Sequence, residues 1–173
     1  MTSHIRLLEP GDATRLAELM QRNRVFLEPW EPVRPESYFT VEGQVEAVAD
    51  SLRRWAEGTM APHVIIDEAG SVVGRINLNN IVRGPFQSAS VGYWLDEAAG
   101  GRGLATAAVA EVVGVAFDTL GLHRVEAGTV PENERSQAVL RRNGFKRFGY
   151  APGYLAIAGS FRDHILFQRL ADD

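Results

Sequence analysis

The 173-residue chain contains no cysteine. That excludes disulfides, thiolate metal sites and a cysteine nucleophile, and it suits a reducing compartment such as the cytoplasm. No apolar run approaches the ~20 residues needed to cross a bilayer. The opening Met1-Thr2-Ser3-His4-Ile5-Arg6 has the pattern of neither a signal peptide nor a lipidation site, so a cytoplasmic protein with no membrane partner is expected. There is no excess of positive charge either. The net charge of −4 disfavours broad nucleic-acid binding, while mildly attracting a basic polypeptide. His4, His63 and His123 lack metal-ligand spacing, and no metal is expected. No repeat, low-complexity tract or linker divides the chain. What remains is ordinary: 45% apolar and 23% charged residues, enough for one globular domain over 1–173.

Patterning predicts an order β-α-α-β-β-β-α-β-α-β-β. Ile5 to Leu8 reads as a first strand. A helix follows with Leu16, Leu19 and Met20 on one face, and a second helix spans Val41 to Trp55. Between them, Leu27 to Pro35 holds three prolines and is no ordinary helix. Val64–Ile66 and Val72–Val82 form strands around a turn at Glu68-Ala69-Gly70-Ser71, the second with Ile76, Leu78 and Asn80 on one face. Ala89 to Leu95 returns the chain. A long helix from Arg102 to Leu120 buries Leu104, Ala108, Val112 and Val115, widened by Val109, Val113 and Ala116. Strand Arg124–Val130 precedes a helix over Glu134–Asn143 with Ala138, Val139 and Leu140 inward. Two strands, near Tyr154–Ile157 and His164–Leu170, close the chain.

The most telling segment is Tyr93-Trp94-Leu95-Asp96-Glu97-Ala98-Ala99-Gly100-Gly101-Arg102-Gly103-Leu104-Ala105-Thr106. It runs from strand through a glycine-rich turn to a helix N-terminus, where free N–H groups and the helix dipole can cradle a pyrophosphate. A dinucleotide fold fits poorly: two strands of a meander precede the turn, and Glu126 lies inside its strand, not at its end. A phosphate loop fails for want of a following Gly-Lys-Ser/Thr. A plain turn capping a helix remains open on these residues alone.

Farther on, Val130-Pro131-Glu132-Asn133-Glu134-Arg135-Ser136 opens a helix that ends in Asn143-Gly144-Phe145. Together these segments resemble the GNAT superfamily of acyl-CoA-dependent N-acyltransferases. Its R/Q-x-x-G-x-G/A signature binds the CoA pyrophosphate, and its second landmark is Asn-x-x-Ser before a helix ending in Gly-Phe. A narrower resemblance covers nearly the whole chain. Asn23 to Arg34, Asn80 to Gly84 and Tyr154 to His164 are similar to segments of the RimJ/RimL-type ribosomal-protein-alanine N-acetyltransferases, the RimJ branch in particular. One position departs: Gly100 stands where Gln or Arg is usual, which removes a side-chain contact to the cofactor.

The resemblance implies an α/β (α+β) fold, with a mixed, mostly antiparallel sheet of six to seven strands flanked by four helices. The sheet is splayed at its centre between Ser90–Leu95 and Arg124–Val130. Acetyl-CoA is the implied cosubstrate and a primary amine, the N-terminus of a ribosomal protein, the implied acceptor. Trp94 and Leu95 would hold the pantetheine arm. The N–H groups of Gly101, Arg102, Gly103, Leu104, Ala105 and Thr106 would meet the pyrophosphate, and Asn133 and Ser136 the rest of the cofactor. Leu95 N–H would receive the oxyanion and Ser136 would serve the leaving thiolate. Trp30, Glu31, Tyr38 and Phe39 would form the acceptor side, with Glu31 or Glu126 taking the amine proton.

Plainer roles stand beside these. Asn133 and Ser136 suit a helix cap, Arg102 a solvated surface, Glu126 an exposed strand position, and Asp163-His164 an ion pair with Arg162 or a neighbouring strand. Two other functions stay open: acetylation of small amines, including antibiotics, and a non-catalytic acyl-CoA-binding module. A monomer or a homodimer is equally compatible.

Overall fold

The computed structural model describes residues 3–173, so Met1 and Thr2 of the opening segment lie outside it. Seven strands form one sheet in the order β1-β2-β3-β4-β5-β7-β6. They are β1 (Ile5–Leu7), β2 (Ala61–Ile66), β3 (Val72–Val82), β4 (Ser88–Leu95), β5 (Arg124–Thr129), β6 (Lys146–Ile157) and β7 (Ser160–Leu170). All neighbours are antiparallel except β4 and β5. The helices are α1 (Ala13–Arg22), α2 (Arg24–Leu27), α3 (Val41–Ala56), α4 (Leu104–Gly114) and α5 (Glu134–Arg142). The count exceeds the expected four by the single turn α2, which stops where Glu28-Pro29-Trp30 tightens into a 3₁₀ turn. Helix α4 loosens into a π turn over Val115–Thr119 before ending.

Successive side chains alternate across the sheet, and each face has its own core. Ile65, Ile76, Leu78, Val91, Val125 and Ala127 pack under Leu104, Ala108, Val109 and Val112 of α4. On the other face, Val64 and Val72 meet Leu16 and Leu19 of α1 and Val48 of α3. The first turn is pinned by Asp12, whose carboxylate takes both Arg6 Nη atoms at 2.9 and 2.7 Å and the Glu9 N–H at 2.9 Å. Burial opposes ionisation of Asp12, but these bonds outweigh it and hold the carboxyl below its ordinary value. Asp12→Asn is therefore expected to cost about 2 kcal/mol in urea unfolding at neutral pH. The deficit should vanish as pH falls through the depressed folded-state value, where the native carboxylate is also protonated.

Three local expectations are corrected. Asn80 is exposed, not inward: β3 bulges between Asn79 and Val82, Asn80 takes φ 51°, and Ile81 is buried in its stead. In α5, Gln137 and Leu140 are the buried residues and half-buried Val139 packs on the core as expected, whereas Ala138 is half-buried without joining it. The final hairpin is far longer than predicted. β6 is an edge strand with register shifts on either side of Gly149-Tyr150-Ala151, and an edge tolerates the Pro152 and Gly153 that obscured it in the sequence.

The join between β4 and β5 sets the functional geometry. They pair only at Ser88–Arg124, Ala89–Val125 and Ser90–Glu126. Beyond that rung β4 continues through Leu95 against β3, and β5 continues through Thr129 against β7. The two strands diverge, leaving a wedge open at the centre of the sheet.

Candidate active site

Main-chain polarity of the wedge follows from strand geometry. Asp96 N–H donates to Val73 O at 2.8 Å, and the Trp94 carbonyl lies against Gly74, so close that a Cβ there would be 2.4 Å away. Both residues therefore turn toward β3. Because direction alternates along a strand, Tyr93 and Leu95 present their N–H and C=O groups to the wedge. Leu95 thus stands where the sequence expected it. Trp94 commits its backbone to β3 and packs its ring on the α1–α3 core; on the wedge side its place is taken by Tyr93. On the opposite limb, the hydroxyl of Thr129 is buried without a partner. Main-chain groups of β4 turned to an open wedge fit an extended, amide-bearing ligand.

At the exit of β4, Gly101 and Gly103 adopt φ 76° and 80°, a region costly for residues with a Cβ. The first backbone bond of α4 runs from Ala107 N–H to Gly103 O, and no side chain caps the helix. The N–H groups of Leu104, Ala105 and Thr106 are left for a ligand, as an anion site requires. Arg102 is exposed and folds back toward Ala98 O at 3.3 Å. At Gly100, a Cβ would stand 3.1 Å from Glu97 O, a tight contact that a small shift of the turn would relieve. A hollow of about 400 Å³ beside the loop is lined by Arg102, Gly103 and Leu104, with His4, Asp67 and Glu68 on its other side.

Across the wedge, α5 lays Ser136 beside β4. The Ser136 and Tyr93 hydroxyls are 2.8 Å apart. Burial pushes the Tyr93 phenol up to about 12, against a smaller opposing effect of the Ser136 hydrogen bond. The phenol is thus protonated at neutral pH, and when it donates to Ser136 Oγ the seryl proton is free for a third group. Asn133 Oδ1 accepts the Ser136 N–H at 3.1 Å, so Asn133 does cap the helix, and in doing so it fixes Ser136. Tyr93 was missed in the sequence. Its signal was only the Val91-Tyr93-Leu95 alternation, which says nothing of the helix that lands opposite.

Glu126 occupies the last β4–β5 rung, where Arg124 Nε holds its carboxylate at 2.5 Å. Asp163 does not pair with Arg162: it accepts from Tyr150 Oη at 2.5 Å and Gly153 N–H at 2.8 Å, while Arg162 meets Glu132 at 3.1 Å. Both arrangements are structural. His164 is buried, with Nδ1 at 3.0 Å from Arg162 O.

Residues Glu31 and Phe39 line a pocket of about 130 Å³ together with Arg24, Leu27, Arg34 and Ala158. Ala158 N–H donates to Glu31 O at 2.9 Å, tying this segment to the β6–β7 turn. Burial raises the Glu31 carboxyl above its ordinary value, with Arg34 and Arg75 opposing. Tyr38 stacks under Arg34 at 4.6 Å and meets Phe39 edge-on at 5.9 Å; Arg24 covers Phe39 at 4.2 Å. Trp30 stays at the surface, 37% exposed. Of the four expected acceptor-side residues, Glu31 and Phe39 line the pocket, and Tyr38 braces Phe39.

Known proteins share this architecture. A family model described as an acetyltransferase (GNAT) domain matches residues 4–146. A Bacillus subtilis protein named "Probable N-acetyltransferase YjcK" is 38% identical over 99% of this chain and 96% of its own length. The [ribosomal protein uS5]-alanine N-acetyltransferase of Escherichia coli is 36% identical over 94% of this chain and 84% of its own. The solved structure of Mycobacterium smegmatis RimJ in complex with CoA-disulfide superposes with a TM-score of 0.93 at 33% identity, covering 97% of this chain and 81% of that one. By sequence and by shape, the chain belongs to the GNAT acetyltransferase family and is an N-acetyltransferase.

Proposed function

We propose that the enzyme transfers acetyl from acetyl-CoA to the N-terminal α-amine of a protein, with ribosomal proteins as the substrate class, by direct attack in a ternary complex. One observation carries this reading: a wedge lined by the main chain of Tyr93 and Leu95 opens between a phosphate-suited helix terminus and the Tyr93–Ser136 pair. The uS5-alanine acetyltransferase of Escherichia coli, similar over 94% of the chain, supports the acceptor class.

In this reading the α4 N-terminus and glycine loop hold the pyrophosphate, and the wedge holds the pantetheine arm. An α-amine has a pKa near 8, so a useful fraction is already neutral. Its attack on the thioester carbonyl forms the C–N bond and an oxyanion, which the Leu95 N–H receives. Collapse breaks the C–S bond, and the thiolate takes a proton from Ser136, replenished through Tyr93. The nitrogen's surplus proton passes to Glu31.

Glu31 must be ionised to accept it. Its raised pKa therefore predicts that kcat/KM climbs with pH above the ordinary carboxylate range, and that Glu31→Gln lowers kcat by about 100-fold and abolishes that limb. Stability moves oppositely. The folded carboxyl binds its proton more tightly than the unfolded one, so stability declines as pH rises between the ordinary and raised values, and the glutamine variant escapes this loss. A pH–rate profile beside urea unfolding at two pH values checks both signs.

The acceptor itself is tested by mass spectrometry of a lysate given pure enzyme and labelled acetyl-CoA. Label on protein N-termini supports the proposal. Label on small amines alone would make this a small-molecule acetyltransferase, and tight CoA binding without transfer to any amine would make it a binding module.

A further inference from the structure

Arg75 lies on β3, paired with Trp94 on β4 and Val64 on β2. It is one rung from Leu95 and on the face that carries α1 and α3. Only 7% of it is exposed. Among the described residues, no carboxylate comes within ion-pairing distance of its guanidinium. Asp12, the buried acid on that side, is occupied by both Nη atoms of Arg6. Nη2 makes two long bonds, to Ser51 Oγ at 3.2 Å and Asn77 Oδ1 at 3.4 Å, while Nε is buried without a partner. Desolvating a cation whose buried Nε–H is left unpaired is costly.

Glu31 is its counterpart. It too is largely withdrawn from water, and each group senses the other's charge, yet the two form no ion pair. Tyr38 and Arg34 are the other charged or titratable groups that act on Arg75 from the acceptor segment. Two opposite charges thus lie on the acceptor side without pairing with each other, Glu31 sensing Arg34 ahead of Arg75 and Arg75 sensing Asp12 ahead of Glu31. A plain amine would satisfy one of them only.

We infer that Arg75 determines acceptor specificity: its guanidinium takes a carbonyl or carboxylate oxygen of the acceptor while Glu31 takes the nitrogen, so that aminoacyl groups are preferred over simple amines. This rests on the acceptor side described under the proposed function and narrows it. Ser51 and Asn77 act as props that hold the guanidinium fork.

The test is steady-state CoA release by the native enzyme, Arg75→Met and Arg75→Lys. The acceptors are an alanine-initiated peptide, the same peptide with its first carbonyl reduced to methylene, and the same peptide with aspartate second. The native enzyme should lose about tenfold or more in kcat/KM on the reduced peptide. Arg75→Met should treat the two peptides alike to within about twofold, with the KM for acetyl-CoA unchanged; Arg75→Lys should fall between, keeping charge without the fork. Should the methionine variant fail to fold, the lysine variant decides alone. If reduction is silent and the aspartyl peptide gains instead, the bound oxygen is a carboxylate. Undiminished discrimination in the variants overturns the inference. If no peptide is acetylated, the N-terminal proposal fails separately, and alaninamide against propylamine puts the same question to Arg75. No turnover with either pair overturns both.

Discussion

Replacing Gly103 by valine is expected to raise the dissociation constant for coenzyme A by about 100-fold or more while leaving the fold in place. At φ 80° a β-branched residue is strained. No atom beyond the adjoining residues lies within 4 Å of a Cβ built there, so the loop, not the core, must adjust. A rotated Gly103–Leu104 junction withdraws at least two N–H donors from a charged ligand, and each such bond contributes about 1.5–3 kcal/mol. Isothermal titration with coenzyme A measures the loss, and a melting curve shows whether the domain survives. Unchanged affinity in a folded variant would place the pyrophosphate elsewhere.

The second large effect concerns the thiolate. Ser136→Ala should lower kcat by about 100-fold, within the range of a positioned proton donor, and should change the affinity for coenzyme A by no more than about threefold. Tyr93→Phe should lower kcat by about tenfold, because the phenol acts through Ser136 and does not itself touch sulfur. The double variant should then be no slower than Ser136→Ala alone, since removing a positioning partner is silent once its client is gone. Multiplying losses in the double variant would show that Tyr93 reaches the reacting atoms independently.

The sequence revealed best whatever depends on short range. The strand–glycine–helix transition at Leu95 to Leu104 is encoded in contiguous residues, and its open N–H groups follow from helix geometry alone. Asn133 three residues before Ser136 is a local cap as well as a family landmark. What escaped was nonlocal. Tyr93 matters because α5, some forty residues later, sets Ser136 against it. Arg75 reads as one polar residue in an alternating strand until α1 and α3 cover it without supplying an acid. Glu126 is the exception: its companion Arg124 lies two positions away on the same strand face, a local pair that the alternating pattern already contained. The bulge at Asn80 and the length of β6 were hidden by residues whose conformation is set by pairing with β4 and β7.

Orientation within β4 could not be settled from periodicity either. A strand pattern tells which side chains share a face, not which edge each peptide group addresses. The Asp96–Val73 bond and the approach of Trp94 O to Gly74 settle it, turning the main chain of Trp94 to β3 and that of Tyr93 and Leu95 to the wedge.

A crystal structure of the chain with coenzyme A bound bears on all of this at once. The account predicts the pantetheine arm lying between β4 and β5 beyond the Ser90–Glu126 rung, bonded to the main chain of Tyr93 and Leu95, with its sulfur beside Ser136 Oγ. A map showing Val91–Leu95 paired directly with Ala127–Thr129 and the coenzyme seated elsewhere would contradict it.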